Sequence, residues 1–146
     1  MTRRRPSDDE GSILPLIAFC TAFALALILL VVAATSLYLE RKRLLTLADG
    51  AALVGAEAFQ LDDVLSPSGA VHLDLDDAAV RDAVESYLAG MPADEFDGLR
   101  LERAESLDGR SATVRLSAQW SPPVLSVLVP SGIRIDVETS ARSVFG

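Results

Sequence analysis

The feature that most constrains this 146-residue chain is a long run without charge near its N-terminus. From Gly11 to Leu39 no residue carries a charge, and the stretch from Ile13 to Ala34 is almost entirely Ile, Leu, Val, Ala and Phe. Such a run exceeds the roughly 20 residues that a helix needs to cross the hydrocarbon of a bilayer. It also lacks the polar face that a helix of a soluble protein shows to water. The sequence therefore predicts a single transmembrane helix over residues 13–39, after a short tail of basic and acidic residues at 1–12.

The length of the apolar run favours a retained anchor, because the apolar core of a secretory signal has only about 7 to 15 residues. We interpret Cys20, inside the run, as a small apolar residue that faces lipid or a partner helix. The positive-inside rule does not fix the orientation, because three basic residues at 3–5 precede the run and three at 41–43 follow it. The acidic, cysteine-free remainder suits an extracytoplasmic compartment. We therefore expect a single-pass protein of the cell membrane with a cytoplasmic N-terminus.

The helical pattern continues beyond the charged residues at 40–43. No proline occurs between residues 16 and 66, and a wheel at 100° per residue gathers small and apolar residues of the segment 40–61 on one stripe. The predicted packing face consists of Leu44, Ala48, Ala51, Ala52, Gly55 and Phe59. Leu47 is placed outside this face, so Leu47→Arg is expected to be mild, whereas Ala51→Arg is expected to abolish assembly or stability.

A second ladder of small residues lies inside the membrane segment, at Ala18, Ala22 and Ala26. Alanines spaced by four residues let the backbones of transmembrane helices approach closely, and such surfaces mediate helix association. The abundance of alanine in this chain explains the ladder equally well. Homo-oligomerisation through the N-terminal helix is therefore an expectation that rests on this pattern alone.

Residues 62–146 are predicted to form a small α+β domain. A second helix is expected from an Asp76 N-cap to Gly90, with Val80, Val84, Tyr87 and Leu88 on its apolar face. Strands are expected where apolar residues alternate, and a hairpin turn at Asp108-Gly109 separates the first two. The alternating residues are Leu99, Leu101 and Ala104 in the first strand, Ala112 to Trp120 in the second, and Ile133 to Thr139 in the third. We also expect a short strand-like piece near Val71 and a helical turn within residues 121–132.

The predicted fold class is therefore α+β. Three antiparallel strands offer one apolar face, which needs a cover, and the long helix has a matching stripe. The transmembrane helix would continue as an amphipathic helix packed on this small sheet.

The composition argues against catalysis, cofactors and nucleic-acid binding. The chain has one histidine, His72, and one cysteine, Cys20, so no His/Cys metal cluster or nucleophile pair can be built from them. No glycine-rich phosphate loop is present, and the acidic residues near Asp76 lack the spacing of a calcium loop. A net charge of −8 is the opposite of what phosphate backbones attract. We predict a protein that is not an enzyme and that binds no cofactor, no metal and no nucleic acid.

The order of motifs resembles a known family. A basic leader and an apolar helix are followed by Arg41-Lys42-Arg43-Leu44 and then by Leu47-Ala48-Asp49-Gly50-Ala51-Ala52-Leu53-Val54-Gly55-Ala56. This pattern is similar to the N-terminal segment of the TadE/TadG-like proteins of Flp (tight adherence) pilus assembly. The resemblance implies a bacterial cell-surface protein of pilin-like fold whose partners are the membrane and other subunits of the pilus or secretion apparatus. It also implies possible leader-peptidase cleavage between Gly11 and Ser12, although the fifth residue after Gly11 is Leu16, where processed pilins usually carry Glu.

Two functional hypotheses follow. The first is a non-enzymatic structural component of a Tad/Flp-type pilus or a related secretion apparatus, either TadG-like or minor-pilin-like. The alternative is a single-pass membrane sensor or adaptor whose outer domain binds a ligand or a protein. The tail of about a dozen residues leaves little room for a signalling module, which favours the first hypothesis.

Overall fold

A computed structural model describes residues 13–58, 75–92, 94–122 and 132–142. In chain order the elements are helix α1 (Ile13–Ala56), helix α2 (Asp77–Ala89), and strands β1 (Arg100–Ser106), β2 (Ser111–Trp120) and β3 (Ile133–Arg142). The predicted α+β class is confirmed. The expected strand-like piece near Val71 and the helical turn within 121–132 fall mostly outside the described residues, as do Gly11, Ser12 and Phe59.

Helix α1 runs without interruption through the charged cluster at residues 40–43. It has 44 residues, which corresponds to a length of about 66 Å at ~1.5 Å per residue. The prediction that the apolar helix and the small-residue stripe form one helix is thus confirmed.

The three strands form one antiparallel sheet in the order β1-β2-β3, with β2 in the centre. Even-numbered residues of β2 face the helices, and their partners on β3 are odd-numbered, as in the pair Val114 and Thr139. The register of β1 shifts between Leu101 and Arg103. A bulge of this kind inserts one extra residue, so Leu101 and Ala104 reach the same face although they differ by three. This explains why alternation is weakest in the first strand.

The turn between β1 and β2 is fixed by Asp108 and Gly109. Gly109 has a φ of +66°, a value that glycine adopts without the steric cost of a side chain. The Asp108 carboxylate accepts hydrogen bonds from the Ser111 hydroxyl at 2.6 Å and from the backbone N–H groups of Ser111 and Arg110 at 2.7 and 3.0 Å. These bonds favour the charged carboxylate and lower the pKa of Asp108 from 3.8 to about 2.

Helix α2 begins at the predicted position, but without the side-chain hydrogen bond that an aspartate N-cap usually makes. Asp76 occupies the N-cap position in an extended conformation, but its side chain makes no capping hydrogen bond. The carboxylate of the next residue, Asp77, is used instead, and it accepts the backbone N–H of Ser106 at 2.7 Å. A side chain at the start of α2 therefore bonds to the end of β1, and no side-chain bond from Asp76 caps the helix.

The core lies between the inner face of the sheet, helix α2 and the C-terminal half of α1. Alanines at 48, 51 and 52 and Leu44 are fully buried there, and Val80 and Val84 of α2 join them. Leu47 is also buried, with 6% of its surface exposed. The expectation that an arginine at Leu47 would be mild is therefore wrong, because this side chain belongs to the core.

The strands run alongside α1, with the two ends of the sheet at different heights on the helix. Near the middle of α1 the Trp120 indole N–H donates to the Ser36 hydroxyl at 3.3 Å, and further along the Thr139 hydroxyl donates to Asp49 at 2.5 Å. The rise from Ser36 to Asp49 is about 20 Å along a helix, and the six residues from Trp120 to Val114, the partner of Thr139, also span about 20 Å. The strand axes are therefore close to parallel with the helix axis.

Candidate assembly surface

Helix α1 divides into two parts with different surroundings. In residues 13–32, here named the bare segment, nearly every side chain is exposed, for example Leu14 at 78% and Phe19 at 69%. In residues 33–56, named the packed segment, one side of the helix is covered by the domain. Of the residues the structure describes, only α1 provides a helix long and apolar enough to cross a membrane. The bare segment is consistent with a transmembrane anchor, because so large an apolar surface is not left in water.

The alanine ladder lies on one face of the bare segment. Ala18, Ala22 and Ala26 are all exposed, and within the described chain no other element covers them. Ala24 is also exposed, but it lies about 200° around the helix from Ala22. The one hydroxyl nearby, on Thr21, donates to the carbonyl of Ile17 at 2.8 Å, so the segment brings no unsatisfied polar side chain into an apolar environment.

The predicted packing face of the upper helix is occupied by the chain's own domain. Leu44, Ala48, Ala51, Ala52 and Gly55 are all buried, and the elements that contact α1 are β2, β3 and α2. The opposite side of the packed segment stays in solvent, with Leu53 52% exposed.

The outer face of the sheet carries a network of ion pairs. Arg115 contacts Asp136 at 2.7 Å, Arg134 contacts Glu102 at 3.1 Å, and Ser117 bridges the second pair by donating to Glu102 at 2.6 Å. The hydrogen bond from Arg115 to Asp136 and the negative charge of Asp136 raise the pKa of Arg115. Half-exposed pairs of this kind contribute little to stability, because water and salt screen them. Because the charges are matched within the face, it has the character of a solvated surface and not of a site that awaits a charged ligand.

A shallow cleft of about 490 Å³ opens between α1 and the start of β3, at the N-terminal end of the packed segment. Ala34, Leu37 and Arg41 line it from α1, and Arg134, Ile135 and Asp136 line it from β3. The proximity of β3 to this part of α1 depends on tertiary contacts that no local pattern encodes.

Catalytic groups are sparse in the described part of the chain. No group of three His, Cys, Asp or Glu residues is arranged to hold a metal ion within the described ranges. Cys20 is exposed on the bare segment, and His72 lies outside the described residues. The described side chains therefore offer no set of groups to which a reaction can be assigned.

Two contacts of α1 were missed by sequence reasoning. The Trp120–Ser36 hydrogen bond joins positions 84 residues apart, and the Tyr87 ring lies so close to Gly50 that a Cβ atom there would stand 2.6 Å from the phenolic oxygen. The presence of glycine inside a helix was the available signal for the second contact, because an interior glycine costs about 1 kcal/mol against alanine and so indicates a close neighbour.

The comparisons with known proteins identify the segment that contains α1. Residues 11–58 match the family model described as Flp pilus-assembly TadE/G-like. The match covers about a third of the 146 residues and contains the whole of α1. No curated protein and no solved structure gives a significant match. The resemblance seen in the sequence is thereby confirmed for this segment, and the match supports a role in pilus assembly.

Proposed function

We propose that this chain, whose long N-terminal helix is the TadE/G-like segment, is a non-enzymatic structural component of a Tad/Flp-type pilus or a related secretion apparatus. The observation that carries the proposal is the place of the family match, which spans both the bare and the packed segments of α1. One helix thus combines an anchor for the membrane with the spine of a small domain.

Contacts with other subunits would use the bare segment. The packing face above it is already covered by the sheet and α2, so it has no free surface for a second protein unless the domain unfolds. The ladder of Ala18, Ala22 and Ala26 remains exposed. Close backbone approach at small residues is the principal way in which transmembrane helices associate, and it would serve either another pilus subunit or a second copy of this chain.

The test compares two substitutions of the same chemistry on opposite sides of α1. In a strain that lacks the gene, the full chain, Ala22→Leu and Ala24→Leu are expressed and surface fibres are counted by electron microscopy. We expect Ala22→Leu to reduce fibres strongly, because a larger side chain separates the helices, and Ala24→Leu to restore them. Fibres that persist in the deletion strain itself would refute the proposed function.

The stationary TadG-like form and the processed minor-pilin-like form differ in covalent structure. Cleavage between Gly11 and Ser12 would remove residues 1–11, and the intact mass of the chain extracted from membranes measures this directly. A full-length mass supports a stationary component, and the shorter mass supports a processed one.

The proposed orientation places the α+β domain outside the cytoplasmic membrane. Leu107, at the turn between β1 and β2, is 72% exposed and accepts a cysteine without loss of packing. In a Cys20→Ser background, Leu107→Cys should react with a membrane-impermeant maleimide at the outer face of the cytoplasmic membrane in intact spheroplasts. Reaction only after lysis would show the reverse orientation.

The sensor or adaptor alternative receives no support from the described residues. An outer domain that binds a small ligand needs a concave site that encloses most of it. The clefts lined by described residues are open, and the cleft beside Arg41 is bounded on one side by the helix that would enter the membrane.

A further inference from the structure

The contacts of the sheet domain with α1 begin closer to the N-terminus of the helix than the charged residues at 40–43. The charged residues at 40–43 suggested that the membrane ends near residue 39. The packing of the domain on α1 nevertheless begins at Ala33 and Leu37, both of which contact the core, and Trp120 bonds to Ser36. The lower end of the sheet is therefore placed below the charged cluster, at a height where a membrane protein would still be near lipid.

Charge sets an upper limit on how far the hydrocarbon can reach. At this end of the sheet Arg134 and Asp136 line the cleft against Ala34 and Leu37 of α1. Both are paired, with Glu102 and Arg115, but the side chain of Arg134 stays 43% exposed and that of Asp136 56% exposed. Hydrocarbon at this height would therefore still contact ionised groups, at a cost of several kcal/mol. Hydrocarbon can therefore surround α1 only below about residue 33.

The sequence sets the lower limit. The uncharged run begins after Glu10, and α1 begins at Ile13. Between the two limits lie roughly 20 helical residues, or about 30 Å, which is the thickness of the hydrocarbon core. The bare segment has almost no length to spare, so the domain cannot stand well above the bilayer on a stalk.

We propose that the lower end of the sheet domain rests on the bilayer, so that its partner is the phospholipid headgroup layer of the membrane that anchors α1. This inference depends on the proposed membrane anchorage but goes beyond it, because an anchored domain could also stand free in water. The headgroup layer adds only about 5–7 Å on each side of the hydrocarbon, which corresponds to residues 33–37 of α1.

The side chains at this end suit a headgroup layer. Ile133 is 47% exposed and Tyr38 is 64% exposed, and Arg41 lines the same cleft as Tyr38. Aromatic rings and arginines with apolar stems are the residues that populate membrane interfaces.

Charge attraction to acidic lipid is not the basis of the contact. Asp97 lies at the same end, since its carbonyl accepts the backbone N–H of Gln119 at 2.8 Å, and the whole chain is acidic. We therefore infer that contact occurs on zwitterionic phosphatidylcholine and persists at high salt.

Trp120 is the only tryptophan, so the native chain reports its own depth. The full chain is reconstituted into phosphatidylcholine vesicles whose acyl chains carry bromine, a fluorescence quencher, either near the headgroup or near the bilayer centre. Three single-tryptophan variants in a Trp120→Phe background accompany it. Ile133→Trp reports the lower end of the sheet, Phe23→Trp reports the middle of the bare segment, and Leu107→Trp reports the opposite end of the sheet.

We expect the shallow quencher to reduce emission from Trp120 and from Ile133→Trp, and the deep quencher to reduce emission from Phe23→Trp. Leu107→Trp should be quenched by neither. If Phe23→Trp is quenched while both lower-end probes are not, the anchor stands and the seating of the domain is refuted. Stronger quenching of Ile133→Trp by the deep label also refutes it. If neither quencher reduces the emission of Phe23→Trp, both the membrane anchorage and the placement of the domain on the bilayer are refuted.

Discussion

Two glycines of α1 lie where the helix contacts its neighbours most closely, but they differ in what surrounds them. A Cβ atom on Gly55 would stand 3.2 Å from each of Ala112, Val80 and Val84. A Cβ atom on Gly50 would meet only the ring of Tyr87, whose phenolic end is the nearest atom. The first site is enclosed by short, stiff side chains from two elements, whereas the second is bounded by the movable end of a half-buried tyrosine.

We predict opposite effects of alanine at the two glycines. Each substitution gains about 1 kcal/mol of helix propensity. At Gly55 overpacking costs about 1–3 kcal/mol, so Gly55→Ala should lower the free energy of unfolding or at best leave it unchanged. Gly50→Ala should raise it, because Tyr87 can turn aside. Denaturant unfolding of the full chain in detergent micelles measures both, and a greater stability for Gly55→Ala than for Gly50→Ala would contradict the packing described.

Asp108 gives the fold a defined dependence on acid. Its pKa of about 2 in the folded chain lies below the ordinary 3.8, so folding favours the charged carboxylate. The stabilisation is complete above pH 3.8 and is lost as the pH falls towards 2. We predict that Asp108→Asn flattens the fall in melting temperature over this range relative to the wild type. Identical pH profiles for wild type and Asp108→Asn would show that the turn bonds do not form in solution.

At the scale of elements, the sequence predicted which segments form helices and strands but underestimated how much of α1 is covered. The helical wheel assigned only one narrow stripe of α1 to the core, because the sheet alone was expected to cover the helix. The sheet and α2 together bury an arc of about half the circumference, from Leu47 at one edge to Ala56 at the other. Hence Leu47 was placed outside the core, although the central residues of the stripe were identified. The bulge in β1 and the hydrogen bond from the backbone N–H of Ser106 to Asp77 at the start of α2 likewise depend on neighbouring elements.

A matched pair of arginines tests the covered and the open sides of α1. Ala51 is fully buried, whereas Leu53 is 52% exposed on the opposite side. Ala51→Arg should lower the free energy of unfolding by more than about 3 kcal/mol, since a large unpaired charge would enter the core. Leu53→Arg should change it by no more than about 0.5 kcal/mol. Thermal unfolding by circular dichroism distinguishes the two variants, and equal tolerance would mean that α1 does not pack on its own sheet.

At the scale of the whole molecule, the chain is one long helix whose N-terminal part has the length and composition of a membrane anchor and whose C-terminal part packs on one side against a small domain. The apolar run and the small-residue stripe predicted this organisation, because both are periodic and local. The height of the domain on α1 could not be predicted, since it depends on contacts such as Trp120 with Ser36, which are 84 residues apart. The charged cluster at 40–43 predicted a membrane boundary near residue 39, and the proposed placement of the domain on the bilayer would move this boundary several residues towards the N-terminus of α1.

The central claim is that the bare segment joins this chain to a pilus apparatus, and a crosslink in the native membrane tests it most directly. A photoreactive amino acid is introduced at Ala22 or, as the control, at Ala24, in cells that assemble fibres. After illumination, the partners are identified by mass spectrometry. We predict crosslinks from position 22 to membrane subunits of the pilus apparatus or to a second copy of this chain, and few from position 24. Cells that still make fibres but yield no such crosslink from either position would contradict the claim.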